Sequence, residues 1–387
     1  MTPATAGDRE LDDVLPPPPG EPMPEPWLRM TYPLAGDEEL KAIDRALRSG
    51  VLNNGPEVEA FEREFAERHG TRHAVALANG TDALTAIYLA LGIGRGDEVI
   101  VPAMTFVSSA TSIVHAGATP VFAEVEPETF TLDPASAEAA VTARTRAILA
   151  VHYAGQAASV AELAAVSERA GAVLIEDAAQ AHGGTYRGRS VGSLGHAAMF
   201  SFAPNKNVTM GEGGMITTDD PELDRAVRLL RNHGQISQYV YDRVGYNWRM
   251  SEVHGAMGRA QLGKLDNVLA AKRQNAAWME RRLAAVAGVR TPVTREDRDH
   301  TFMLYTLLLD RKDDRDRLMV ALGAEGIESK VYFPPVHRQP IFDRGERFLV
   351  TEDLCSRILS IPFHARVSTD DLERIAQIAA RTISPQW

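Results

Sequence analysis

From about Tyr32 onward, apolar positions fall into short β-rich runs separated by stretches with helical spacing. The runs are His73–Ala78, Glu98–Pro102, Thr119–Val125, Arg146–Val151 and Ala172–Glu176. Between them, Thr81–Leu91, Val107–His115, Pro134–Val141 and Val160–Ala170 read as helices. Two helical stretches come first, Glu38–Arg48 and Glu57–Arg68, the second with Val58, Phe61 and Phe65 on one face. Strands alternating with helices of this length predict an α/β fold with a mostly parallel sheet covered by helices. His196–Phe202 and Met215–Thr218 predict two further strands, and Met250 to about Val286 a long helix. A smaller unit then runs from about Gly288, with a strand at Phe302–Leu309 and helices at Arg315–Glu325 and Asp370–Ala380. The pattern divides the chain into a large domain, 27–255, and a long helix with a small C-terminal α+β domain, 256–387. No internal repeat is visible.

Composition narrows the function classes. The 387 residues suffice for a large core and roughly two domains. A formal net charge of −11 gives no electrostatic footprint for nucleic acid or an anionic membrane. No apolar run approaches the ~20 residues of a membrane span. Residues 1–26 are rich in Pro, Glu and Asp, including Pro16–Pro19. They are expected to be disordered, and they carry no secretory signal pattern, so a cytoplasmic location is expected. The single cysteine, Cys355, excludes an internal disulfide and reads as a small buried hydrophobe in a helix over Glu352–Leu359. The histidines have no close metal-ligand spacing, so no metal is expected.

Candidate chemistry gathers at three places. Asn79-Gly80-Thr81-Asp82 follows a strand and opens a helix, where free backbone amides and the dipole suit a phosphate; an ordinary helix cap reads the same way. Asp177 ends a strongly apolar strand, at the edge where open α/β sheets bind ligands, although a turn residue could also stand there. Lys206 lies between two predicted strands in Phe200-Ser201-Phe202-Ala203-Pro204-Asn205-Lys206, ahead of Gly211-Glu212-Gly213-Gly214. Burial by these apolar, turn-forming flanks lowers an amine's pKa toward its nucleophilic form. A lysine able to form a Schiff base and an acid able to pair with a pyridinium are the minimum equipment for pyridoxal phosphate chemistry. Three patterns carry no such weight. Gly92-Ile93-Gly94-Arg95-Gly96 follows a helix and precedes a strand, the reverse of a dinucleotide loop. Asn79-Gly80-Thr81 and Asn207-Val208-Thr209 match a glycosylation acceptor, which has no meaning without secretion.

In order along the chain, these segments resemble the DegT/DnrJ/EryC1/StrS family of PLP-dependent sugar aminotransferases, from about Met30 to Ala380. Further matching segments are Gly55–Glu62, Gly96–Pro102 with Thr105-Phe106, Val151–Gln156, Glu176–Ala181, Gly245–Glu252 and Pro335–His337. The resemblance implies the aspartate-aminotransferase-like architecture known as fold type I, and a homodimer with shared active sites. It implies pyridoxal 5'-phosphate, with pyridoxamine 5'-phosphate as intermediate. It aligns Lys206 with the Schiff-base lysine and Asp177 with the pyridine-nitrogen partner. Phe106 falls against the ring, and Gln180 near the phenolic oxygen. Gly80, Thr81, Asp82 and Ser201 fall at the phosphate, and Asn247 at a phosphate contact from the neighbouring subunit. His152, Arg249 and His337 align near the substrate side. Lysine rather than histidine at 206 favours transamination over dehydration. The implied donor is glutamate or glutamine and the implied acceptor a nucleotide-linked keto-sugar. A keto-cyclitol or an aminohydroxybenzoate-type precursor is the alternative, and a non-catalytic sensor or assembly protein the reading from another class. Leu52-Asn53-Asn54 departs from the family pattern before Gly55.

Overall fold

The structure, a computed structural model, describes residues 27–383. The acidic, proline-rich segment 1–26, expected to be disordered, lies outside them. Helices α1 (Asp37–Ser49) and α2 (Pro56–His69) lead into strand β1 (His73–Leu77). Then follow α3 (Gly80–Ala90), β2 (Glu98–Pro102), α4 (Val107–His115), β3 (Thr119–Ala123), α5 (Pro134–Ala139), β4 (Thr145–Val151), α6 (Val160–Ala170) and β5 (Val173–Asp177). Strands β6 (Ala197–Ser201) and β7 (Gly214–Thr218) complete a seven-stranded sheet, in the order β1-β7-β6-β5-β4-β2-β3. All neighbours are parallel except β7, which runs opposite to both β1 and β6.

The sheet is apolar on both faces because helices cover both. Along β6, Ala198 and Phe200 join the core with Phe61 and Phe65 of α2 and Leu163 of α6. Ala197 and Met199 point the other way, toward Leu84 and Ile87 of α3 and Ile113 of α4. This alternation follows from the two-residue period of a strand. Helix α7 (Pro221–Arg231) adds Leu223 and Val227 to the second face. The glycine-rich turn at 92–96 stands between α3 and β2, with Gly92 and Gly96 at positive φ, as its order in the sequence predicts.

After a hairpin of β8 (Gln235–Ser237) and β9 (Val240–Tyr241), helix α8 (Glu252–Leu283) runs 32 residues. Leu262, Leu265 and Leu269 belong to the core with Phe61, whereas Ala276, Met279 and Leu283 belong to a second one. That second core holds a three-stranded sheet of β10 (Val289–Arg290), β11 (Tyr305–Leu309) and β12 (Ile358–Ile361), flanked by α9 (Lys312–Ala324) and α11 (Thr369–Ile383). The helix expected over Glu352–Leu359 needs correction. Helix α10 (Leu349–Arg357) stops at Arg357, and Ile358-Leu359-Ser360-Ile361 pairs with β11. Cys355 is buried. Among the described residues, no helix is long and apolar enough to cross a membrane.

Candidate active site

The carboxyl ends of β1, β4, β5 and β6 open onto one cavity of about 610 Å³. Gly80, Thr81, Asp82, Phe106, Asp177, Gln180, Ser201 and Lys206 all line it. Residues more than a hundred positions apart meet here because parallel strands deliver their ends to the same edge.

The N-terminus of α3 forms one wall. Asn79 caps the helix, its Oδ1 accepting from the Asp82 amide at 2.8 Å. That leaves the Gly80 and Thr81 amides without a partner among the described residues. The Asp82 amide, expected at the phosphate, is thus already engaged. A Cβ on Gly80 would stand 3.0 Å from Met199 Sδ and from Ser201 Cβ, so glycine lets the helix end reach the tip of β6. Gly214 is tighter still, since a Cβ there would lie 2.3 Å from the Asn79 carbonyl oxygen.

Asp177 forms the floor. Its Oδ2 accepts from Ser109 Oγ at 2.7 Å and its Oδ1 from the Ala179 amide at 3.1 Å. Ser109 is in turn 2.8 Å from Thr105 Oγ1. Burial raises the Asp177 carboxyl above its ordinary value, and Ser109, the Ala179 amide and Lys206 offset part of that rise. Beside it on β5, Glu176 faces the opposite way. Its carboxylate accepts from the Gly192, Leu194 and Gly195 amides at 2.8–2.9 Å and pairs with His152 Nε2 at 3.0 Å.

Lys206 sits on the loop between β6 and β7. Burial draws its amine from 10.5 down to about 8, and the Asp177 carboxylate pulls back in the other direction. Behind the loop, His182 is buried among Phe200 and Phe202, and desolvation holds it well below the ordinary histidine range. Gln180 Oε1 accepts from the Ala154 amide at 2.6 Å, which leaves its amide nitrogen as the donor. Phe106 is 53% exposed and rests against Phe333, the ring centroids 5.6 Å apart.

Four expected residues stay outside the cavity. His152 is fully buried, with Nδ1 accepting from the Ala158 amide at 3.0 Å and Nε2 on Glu176, so neither nitrogen is free for a substrate. His337 is buried against Phe122 and Phe348, with Nε2 on Glu352 at 3.1 Å. Arg249 donates to Asn232 Oδ1 at 2.8 Å. His152 and His337 thus make contacts within the core, and Arg249 is held two residues from Asn247. Asn247 is exposed near the base of the β8–β9 hairpin and does not reach its own cavity. Ser109, Thr105, Asn205, Glu212, Tyr332 and Phe333 join the site without having been expected there. For Ser109 and Thr105 a signal existed, two hydroxyls four residues apart at the start of a helix that follows a strand end.

The profile of the DegT/DnrJ/EryC1/StrS aminotransferase family matches residues 33–379. The GDP-perosamine synthase of Caulobacter vibrioides is 41% identical over 350 residues, covering 88% of this chain and 92% of that protein. The UDP-N-acetyl-3-dehydro-alpha-D-glucosamine 3-aminotransferase of Acidithiobacillus ferrooxidans is 38% identical over 360 residues, 92% of this chain and 96% of that one. Among solved structures, S. venezuelae DesV in complex with a ketimine intermediate matches with a TM-score of 0.87 and 38% identity, over 90% of this chain and 95% of that chain.

Proposed function

The chain belongs to the DegT/DnrJ/EryC1/StrS aminotransferase family, and we propose that it uses pyridoxal 5'-phosphate to aminate a nucleotide-linked keto-sugar. The observation that carries this is the cavity itself. Two unpartnered amides and a serine hydroxyl stand at one end, a buried carboxylate at the floor, and a desolvated lysine amine beside it. Those groups fit a phosphate, a ring nitrogen and an aldehyde in one small molecule.

In this reading the Gly80 and Thr81 amides and the Ser201 hydroxyl bind the phosphate. Asp177, anchored by Ser109 and the Ala179 amide, holds a proton at the pyridine nitrogen. The Gln180 amide nitrogen and the Phe106 ring would help hold the cofactor, one as a donor and the other as an apolar wall. When bound, the cofactor supplies a sink for the electron pair left as a substrate Cα–H bond breaks. Lys206 would act as the general base that takes and returns that proton. An amine whose pKa lies near 8 is well matched to both directions at neutral pH. Glutamate or glutamine gives the amino group in the first half, and the ketone takes it in the second.

The relatives' names support a sugar linked to a nucleotide, one carrying GDP and another UDP. The same reading takes 27–255 as the cofactor domain and 256–387 as the smaller one, α8 being shared between their cores. It also takes a second copy of the chain as the donor of Asn247. Ile236, Tyr239, Val240, Tyr241 and Val244 are exposed on that hairpin, Val244 at 85%, an apolar patch that suits a subunit contact.

An absorbance spectrum before and after glutamate tests the first half-reaction. A band near ~410–430 nm should move to about 330 nm. Candidate keto-sugars, keto-cyclitols and aminohydroxybenzoate precursors are then compared for restoring it. No band with added cofactor, or one that neither glutamate nor glutamine moves, defeats the proposal.

A further inference from the structure

Lys272 is buried in the middle of α8, and among the described residues it has no carboxylate partner. Its Nζ donates instead to Asn207 Oδ1 at 2.7 Å and to the Phe302 carbonyl at 3.1 Å. Asn207 follows Lys206 directly and is itself buried. Its Nδ2 donates to the Thr301 carbonyl at 3.3 Å. The Thr301 hydroxyl reaches the Gln180 carbonyl at 3.2 Å, behind the cavity floor. One ammonium thus ties the long helix, the Lys206 loop and the 301–302 segment into one network.

The loop's flanks, Phe202, Val208 and Met210, pack into the core. A cavity of about 40 Å³ lies on the loop's far side, bordered by Pro204, Lys206, Asn207, Lys272, Tyr32 and His364. That is space for a water molecule and room for the loop to settle back. The loop's own backbone bonds are few, Lys206 N to the Ala203 carbonyl and Met210 N to the Phe202 carbonyl among them. A buried lysine without a counter-charge is costly to keep. The network gives that cost a use.

We infer that Lys272 is a positioning residue, acting through Asn207 to hold the half-buried Lys206 amine in the cavity facing Asp177. The inference rests on Lys206 as the reactive amine proposed above. Releasing the tether lets the loop settle into the small space behind it and the amine turn further into the open cavity, which removes part of the desolvation that lowers it. Asp177 and His182 interact with the Lys206 charge, and Asp82, Glu212 and Tyr332 line the same cavity. His300 and His364 face Lys272, both held neutral by burial and by its charge.

The test is competitive labelling of amines on the full-length chain, freed of bound aldehyde with hydroxylamine and read by peptide mass. It follows Lys206 with or without cofactor chemistry, so it stands apart from the spectral test of function. In the wild type the Lys206 titration should centre at about 8. In Asn207→Ala, which keeps the Lys272 side chain, the midpoint should rise by at least about one pH unit. Lys272→Met should raise it similarly, and the double variant no further, because both act through one bond. A midpoint unchanged in Asn207→Ala overturns the inference, whatever happens to thermal stability. If Lys272→Met fails to fold, Asn207→Ala alone decides.

Discussion

The cavity floor and the β8–β9 hairpin are built on opposite principles. At the floor every polar group has its place fixed within one chain: Asp177 by Ser109 and the Ala179 amide, Gln180 by the Ala154 amide, Lys206 by a loop pinned between two strands. The hairpin offers Tyr239 at 79% exposure and Val244 at 85%, with little of its own chain beneath them. Its foundation is firmer, since Tyr246 and Trp248 stack at 3.8 Å and the Trp248 carbonyl accepts from the Ala78 amide at 2.9 Å. The difference is between a region whose polar groups are anchored within the chain and one whose apolar side chains are left exposed.

The sharpest break of that comparison is at the floor. Lys206→Ala should lower the glutamate half-reaction by more than about 10³-fold, since both base and nucleophile go. A rate near wild type in a stopped-flow trace would show that another group moves the proton. Asp177→Asn comes next, with some cofactor retained and about a 10²-fold loss of rate. Unchanged turnover would remove Asp177 from the ring nitrogen.

At the hairpin, Asn247→Ala should weaken cofactor binding about tenfold, the worth of one charge-assisted hydrogen bond. Mixing that variant with Lys206→Ala at low cofactor is more telling. Co-expressed subunits should recover about one quarter of wild-type activity, because each mixed dimer rebuilds one whole site. No recovery would mean that Asn247 serves its own chain.

Ser109→Ala is a smaller change at the floor. It removes one of two donors to Asp177, so the carboxyl pKa should climb further and the rate fall about tenfold. A last effect concerns pH and reads out in stability. Burial takes Lys272 from 10.5 to about 7, so above pH 7 the folded chain releases this proton before the unfolded chain does. Stability then rises with pH. The advantage of wild type over Lys272→Met in thermal unfolding should therefore widen from pH 7 toward pH 10; a constant gap would place the Lys272 proton elsewhere.

Much of the fold was legible because strands and helices here announce themselves locally. Asn79-Gly80-Thr81, Asp177 and Lys206 could be read for the same reason, each standing where a strand stops. Side-chain direction was not legible. His152 follows β4 at the correct edge, yet its ring turns to Glu176 and the Ala158 amide. Ile358-Leu359-Ser360-Ile361 was missed because a four-residue apolar run fits a buried strand or a buried helix turn equally. Glu252 carried the resemblance, and its use is local: its carboxylate accepts from the Gly55, Glu57 and Val58 amides and caps α2.

The one reversed strand, β7, makes the Lys206 loop a link between two hydrogen-bonded neighbours deep inside the sheet. Amides in β6 and β7 should accordingly be among the last to exchange with heavy water, at a rate set by whole-molecule opening rather than by local fraying. Mild heating or denaturant would then peel the hairpin from its surroundings first. The lysine would keep its address until the sheet itself comes apart.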